Sequence, residues 1–295
     1  MTALAGIEPL FAISHNTLVV ACGVAAVGCA AGVIGCFGVL RKRALVGDAA
    51  AHATLVGVAL AFLATGRRDL PVLLAGGLLS GLAALGVLVL LRWCTRTRDD
   101  AATAIVLSVS FGLGITLVSG ITARGIPGGG GLEQFLLGHT AAITTSDALL
   151  LASVSAIALL LLTLTIKEAT LVAFDPSFAA ATGWPVALID YGLVTLVAVM
   201  VVVGLPAAGA VLVTALVVIP PVAARQWTDR VPTMLVLSGV FGVASALFGV
   251  AVSAVVPRLA TGPLVVLAAA FLFACSFVAV RVLRWWTRLR QGLVH

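Results

Sequence analysis

Two residues in an otherwise apolar chain are of types that hold metal ions: Asp48 and His52, inside the stretch RKRALVGDAAAHATLVGVAL from Arg41 to Leu60. If residues 46–65 are helical, a separation of four stacks the carboxylate and the imidazole one turn apart on one face. That face can receive a cation. Mixed carboxylate and imidazole donors suit manganese, iron or zinc, whereas copper(I) calls for sulfur. Two side chains supply at most two or three donors, so the remainder must come from water, backbone carbonyls or a facing copy of the chain. Incompleteness suits a permeant ion, because a closed four-ligand cage would trap it. Within a bilayer the two groups cost roughly a few kcal/mol even on the gentler insertion scales, which marks them as functional by default. A structural alternative stands beside this: Asp48 caps the free N–H groups of a helix starting after Gly47, with His52 bonded to it.

The elements that position this pair follow from composition. A chain of 295 residues that is 62% hydrophobic and 9% charged cannot be a water-soluble domain, and its pattern is all-α and polytopic. At about 20 apolar residues per crossing, nine runs fall near 17–40, 46–65, 71–91, 101–119, 146–166, 186–204, 208–224, 233–256 and 262–283. The seventh is short and interrupted by Pro206, Pro220 and Pro221, so the count falls to eight if it is re-entrant. The whole of 1–295 reads as one transmembrane domain. The five cysteines form no readable disulfide framework. Cys22, Cys29 and Cys36 recur every seven residues on one face beside Gly28, Gly32 and Gly35, which points to close helix packing over a soft-metal track.

Orientation follows from the basic residues. Arg41, Lys42, Arg43, Arg92, Arg96, Arg98, Lys167, Arg225, Arg230, Arg281, Arg284, Arg288 and Arg290 fall on alternate connections and the C-terminus, against Arg67, Arg68, Arg124 and Arg258 on the other side. Thirteen against four makes the first set cytoplasmic, with the N-terminus outside and the C-terminus inside. Trp93, Trp184, Trp227, Trp285 and Trp286 flank spans on that same side. Insertion thus accounts for the formal charge of +6 without nucleic acid as a partner. The opening MTALAGIEPLFAISHN lacks a basic n-region and is not expected to be a cleaved signal. Counted from Val46 at 1.5 Å per residue, Asp48 and His52 lie roughly 3 and 9 Å into their helix. A regular helix leaves them in the cytoplasmic half, and an irregular entry at Val46-Gly47 brings them nearer the midplane.

Two connections carry further candidates. The outer one, about 120–145, holds four consecutive glycines at 128–131 and then Glu133 and His139, which either greet an entering cation or are merely solvated. In the inner one, Asp175-Pro176 signals a helix start and Gly183 with Pro185 a stop, so a helix too short to span lies at about 175–183. Its small apolar surface at Phe178, Ala179, Ala180 and Ala181 fits either lipid or a soluble partner. The chain has no GxxxxGK[ST] loop, HExxH or GxSxG, so it carries neither its own nucleotide site nor a familiar hydrolytic centre and is not expected to be an enzyme.

Five stretches together resemble the permease subunits of bacterial ABC importers for manganese, zinc and iron: VLRKRALVGDAAAHATLVGVALAF, DAATAIVLSVSFGLGITL, LEQFLLGHTAA, AFDPSFAAATGWPVALIDY and ALVVIPPVAARQWTDRVP. They cover nearly the whole chain in order, and the first and fourth are the most specific. The resemblance implies an inner-membrane permease with the fold of that family. It would pair with a second permease copy or paralogue, two cytoplasmic ATPases that hydrolyse the ATP, and an extracytoplasmic metal-binding protein. No permanent cofactor is implied, and the metal is cargo, manganese ahead of zinc or iron. By the same resemblance Asp48 and His52 match the family's metal pathway. The helix holding Asp175, Pro176, Phe178, Ala179, Ala180, Ala181 and Gly183 matches the one that docks on the ATPase. The competing class is an ion- or proton-coupled secondary metal transporter, in which Asp48 and His52 relay protons. The absence of a clear internal two-fold repeat counts against it.

Overall fold

The computed structural model describes residues 15–43, 45–66, 69–96, 98–126, 143–255 and 260–292. Within them the regular structure is entirely helical: α1 (His15–Leu40), α2 (Leu45–Thr65), α3 (Leu70–Cys94), α4 (Asp99–Ala123), α5 (Thr145–Leu164), α6 (Ile166–Phe174), α7 (Pro176–Ala181), α8 (Val186–Ala208), α9 (Ala210–Arg225), α10 (Val231–Val255) and α11 (Thr261–Gly292). Helix is the form in which an apolar segment satisfies its own backbone, which lipid cannot do. Eight of these helices are long and apolar enough to cross a bilayer. The seventh expected span is the exception: α9 has 16 residues, about 24 Å at 1.5 Å per residue, short of a hydrocarbon core of about 30 Å. Gly209, at φ +79°, turns α8 straight into α9, and Gly204 of α8 then faces Val213 of α9. Pro206 belongs to α8 rather than to this short helix.

Small residues let the helices approach closely. A Cβ on Gly28 would stand 2.7 Å from the Gly242 carbonyl oxygen, and one on Gly242 would stand 2.1 Å from that of Gly28, so α1 and α10 touch backbone to backbone. Ser238 Oγ donates to the Gly32 carbonyl at 2.7 Å in the same seam. The glycines beside the cysteine track therefore act as packing surface, and Cys36 is buried while Cys22 is exposed. Pro220 and Pro221 lie inside α9 and withhold the N–H donors that the Leu216 and Val217 carbonyls would normally receive. Gly35 of α1 fits against the second of these, where a Cβ would fall 1.9 Å from Val217 O.

The inner connection forms two helices. α5 breaks at Thr165 (φ −107°, ψ 13°) and resumes as α6, a helix additional to the one expected at about 175–183. α7 has the predicted start and stop. Asp175 Oδ1 accepts from Phe178 N at 2.9 Å and from Ser177 Oγ at 2.6 Å. At the other end Gly183 takes φ +88°, with Trp184 N bonding to Ala179 O and Gly183 N to Ala180 O, the two bonds of a Schellman closure.

Candidate metal centre

α2 is the helix around which the site is built. Its buried face is made of small residues, Ala49, Ala50, Ala51, Ala53 and Gly57 among them, packed chiefly on α3 and α4. Ser80 Oγ of α3 donates to Ala53 O at 2.8 Å. Asp48 and His52 stand one turn apart on the same helix. His52 Nε2 lies 3.6 Å from Asp48 Oδ1, and an ion about 2.1 Å from each atom would close between them at roughly 120°. Asp48 is 36% exposed and His52 19%, so the pair is partly open to its surroundings. The imidazole stands edge-on to Phe111 of α4, with centroids 5.0 Å apart and planes at 78°. Its Nδ1 is buried with no hydrogen-bond partner among the described residues, so packing, not a second hydrogen bond of the usual metal-ligand kind, holds the ring. Among the described residues no group of three or more His, Cys, Asp or Glu side chains gathers to hold a metal.

The capping alternative for Asp48 does not hold. The helix starts at Leu45, so Asp48 is its fourth residue, beyond the position from which a side chain caps. The depth expectation is corrected too. Val46 and Gly47 are regularly helical and buried, yet the pair is not near an end of the bundle. Gly47 packs on Val197, the middle residue of α8, and His52 packs on Phe111, the middle residue of α4. α2 starts recessed between longer neighbours, which brings its second turn to mid-height without any irregularity.

Beneath the pair lies a cluster in which each charge has an ion-pair partner, although Arg92 Nη2 is buried with no hydrogen bond among the described residues. Arg41 Nη1 is 3.1 Å from Asp190 Oδ1, and Arg43 pairs with the other oxygen of the same carboxylate. Arg43 Nε also reaches Asp99 at 3.7 Å, and Arg92 Nε stands 3.2 Å from Asp99. Burial pulls the pKa of Arg41 below the usual guanidinium value, and the Asp190 carboxylate opposes that shift. Lys42, at φ +56°, makes the turn that delivers Arg41 and Arg43 to opposite sides of one carboxylate. A cavity of about 260 Å³ lined by Arg43, Arg92, Asp190 and Tyr191 opens beside it. Sequence reasoning found the arginines but missed Asp99 and Asp190. The available signal was an acid four residues into the apolar α8.

Phe178 of the short inner helix is 55% exposed while Ala179 is buried, so α7 presents its aromatic ring outward. Glu133 and His139 lie outside the described residues.

These features define a multi-pass α-helical membrane protein with an open carboxylate–imidazole pair at mid-height and a capped helix exposed at one end. The chain belongs to the ABC 3 transport family, whose sequence pattern matches residues 14–280. It is 41% identical over 263 residues to the manganese transport system membrane protein MntC of Bacillus subtilis (strain 168), covering 89% of this chain and 60% of that protein. It therefore spans less than two thirds of that relative's length. It is 41% identical over 240 residues to the zinc transport system membrane protein TroC of Treponema pallidum (strain Nichols), covering 81% of this chain and 80% of that protein. Its fold superposes on PsaBC from Streptococcus pneumoniae, solved in complex with Fab, with a TM-score of 0.80 and 29% identity over 93% of this chain and 95% of that one.

Proposed function

We propose that this chain is the permease subunit of an ATP-driven importer for a divalent transition-metal ion in the bacterial inner membrane, manganese first and then zinc or iron. The observation that carries this reading is the pair itself: two metal-type donors 3.6 Å apart, half-open, at the mid-height of the bundle. In this reading Asp48 and His52 take the ion from the outer side, and the facing surface of a second permease, a copy or a paralogue, with water, supplies the remaining donors. The site stays incomplete so that the ion can leave. The relatives' names span manganese and zinc, and the donor types do not separate these metals.

ATP is hydrolysed on separate cytoplasmic subunits in this reading, and an extracytoplasmic binding protein delivers the metal. The helix Pro176–Ala181, with its exposed Phe178, docks on the ATPase, and Asp175 and Gly183 fix its two ends. The basic residues and tryptophans support an outside N-terminus and a cytoplasmic C-terminus, an odd number of crossings in which the short α9 joins the eight long helices. The test is metal-dependent uptake in a strain carrying only this system, with and without its ATPase. Manganese uptake that requires the ATPase supports the reading. Uptake that proceeds without it would overturn it in favour of an ion-coupled carrier.

A further inference from the structure

One atom of the metal-type pair has no polar neighbour to account for it. His52 Nδ1 is buried and has no hydrogen-bond partner among the described residues. A metal on Nε2 needs the lone pair of that nitrogen, which leaves the imidazole proton on Nδ1, and a ligating histidine almost always donates that proton to a carboxylate, a carbonyl or water. Here the neighbour is an aromatic ring. Phe111 stands 5.0 Å from the imidazole, centroid to centroid, with the planes at 78°, an edge-to-face arrangement.

The face of a phenyl ring is negative and its edge positive. An N–H aimed at that face is attracted and makes a weak hydrogen bond, whereas a nitrogen lone pair aimed at it is repelled. Asp48 does not claim the proton for Nε2, because a gap of 3.6 Å is too long for a hydrogen bond.

The backbone holds this contact from above and below. Gly114 of α4 meets Leu55 of α2, where a Cβ would fall 2.9 Å from Leu55 Cδ2. These two residues lie three positions beyond Phe111 and His52, nearly one turn up each helix. Below the rings, Val106 of α4 shares one buried cluster with Ala49 and Ala50 of α2. Phe111 itself is 42% exposed, so burial in the core does not explain where its ring sits.

We propose that Phe111 is a positioning residue for His52: its π face receives the Nδ1 proton and holds the imidazole in the tautomer whose Nε2 lone pair is free for the ion. This rests on the reading of Asp48 and His52 as the metal pair. A ring does the work of the usual polar partner without placing a further carboxylate inside the membrane, where charge is costly.

The test uses the full transporter with its partner subunits in lipid. Nitrogen-15 magnetic resonance of metal-free protein with labelled histidine, His52 being assigned by its loss in His52→Leu, reads which nitrogen carries the proton, and Mn²⁺ titration of the same proteins reads the consequence. Wild type is expected to carry the proton on Nδ1. Phe111→Tyr keeps a π face and should keep both the tautomer and the affinity. Phe111→Leu and Phe111→Met should lose the Nδ1 preference and bind Mn²⁺ about tenfold more weakly; two apolar replacements of different shape prevent a packing defect peculiar to one from deciding the result. A proton on Nε2 in wild type would overturn the proposal, as would a wild-type tautomer or affinity in both apolar variants. An equal loss in Phe111→Tyr would overturn it too, since shape and not the π face would then be at issue. The tautomer is read without metal, so the two readings fail separately: Mn²⁺ bound away from His52 would remove the metal reading, while an Nδ1 proton that depends on Phe111 would still support the positioning.

Discussion

Two polar regions share one end of the bundle and its middle, and they are built on opposite plans. The cluster of Arg41, Arg43, Arg92, Asp99 and Asp190 is closed by ion pairs: each charge faces an opposite one, Asp190 is shared between two guanidinia from one turn, and only Arg92 keeps a buried nitrogen without a hydrogen bond among the described residues. The Asp48–His52 pair is open, with a 3.6 Å gap, a buried Nδ1 without a hydrogen-bond partner among the described residues, and both side chains partly exposed. Full pairing is what a structural network needs, since an orphaned buried charge is expensive. An open pair is what a passing ion needs. Charge inside a membrane protein is therefore not one signal: closed arrangements hold helices together, and open ones mark a path.

That contrast breaks if substitutions in the two regions do the same thing. Asp48→Asn and His52→Leu should each reduce metal uptake by roughly tenfold or more, the scale seen when metal-site residues are altered, while folding stability moves by no more than about 0.5 kcal/mol. Uptake assays and thermal unfolding of the same purified proteins separate the two effects. A double variant no worse than either single variant identifies one shared site. Loss of stability in step with uptake would move the pair into the structural class.

Asp190→Ala sharpens the opposite side. It leaves Arg41 and Arg43 part-buried without their shared carboxylate. Breaking a fully buried pair costs about 3–5 kcal/mol, and because Asp190 is 22% exposed about 2–3 kcal/mol is expected. Thermal unfolding in detergent should show the loss, and uptake should fall only in proportion to folded protein. Unchanged stability would mean that the cluster does not hold the helix ends.

The smallest effect belongs to the solvated cap of α7, where a charge is neither closed in nor on a path. Hydrogen bonds from Ser177 and Phe178 hold the Asp175 carboxyl below its ordinary pKa. Its folded value is depressed, so its contribution is present above the ordinary value and fades as pH falls through the lowered one. At neutral pH Asp175→Asn should be nearly silent because Asn caps as well, whereas Asp175→Ala should lower ATPase stimulation by a few-fold at most. Equal effects of Asn and Ala would show that charge, not capping, is what Asp175 supplies.

Much of this was legible in the chain. The i, i+4 spacing of Asp48 and His52 and the punctuation at Asp175, Pro176, Gly183 and Pro185 are local, and local rules read them correctly. The depth of the pair was not legible. Counting from the start of α2 assumes that helices begin level, and the stagger of α2 between α4 and α8 is set by packing against Phe111 and Val197. Nor was the Arg43–Asp190 pair, whose members are 147 residues apart. The cause of the seventh expected span's shortness was not legible either: Gly209 turns the chain early and leaves α9 with 16 residues.

The central claim is that a transported ion binds Asp48 and His52. The most direct measurement is pulsed electron paramagnetic resonance of Mn²⁺ bound to the purified transporter with its partner subunits, which detects an imidazole nitrogen coordinated to the metal. A nitrogen coupling in wild type that disappears in His52→Leu, with Asp48→Asn weakening Mn²⁺ binding, is the predicted result. Bound Mn²⁺ whose nitrogen coupling survives in His52→Leu would place the ion elsewhere and contradict the account.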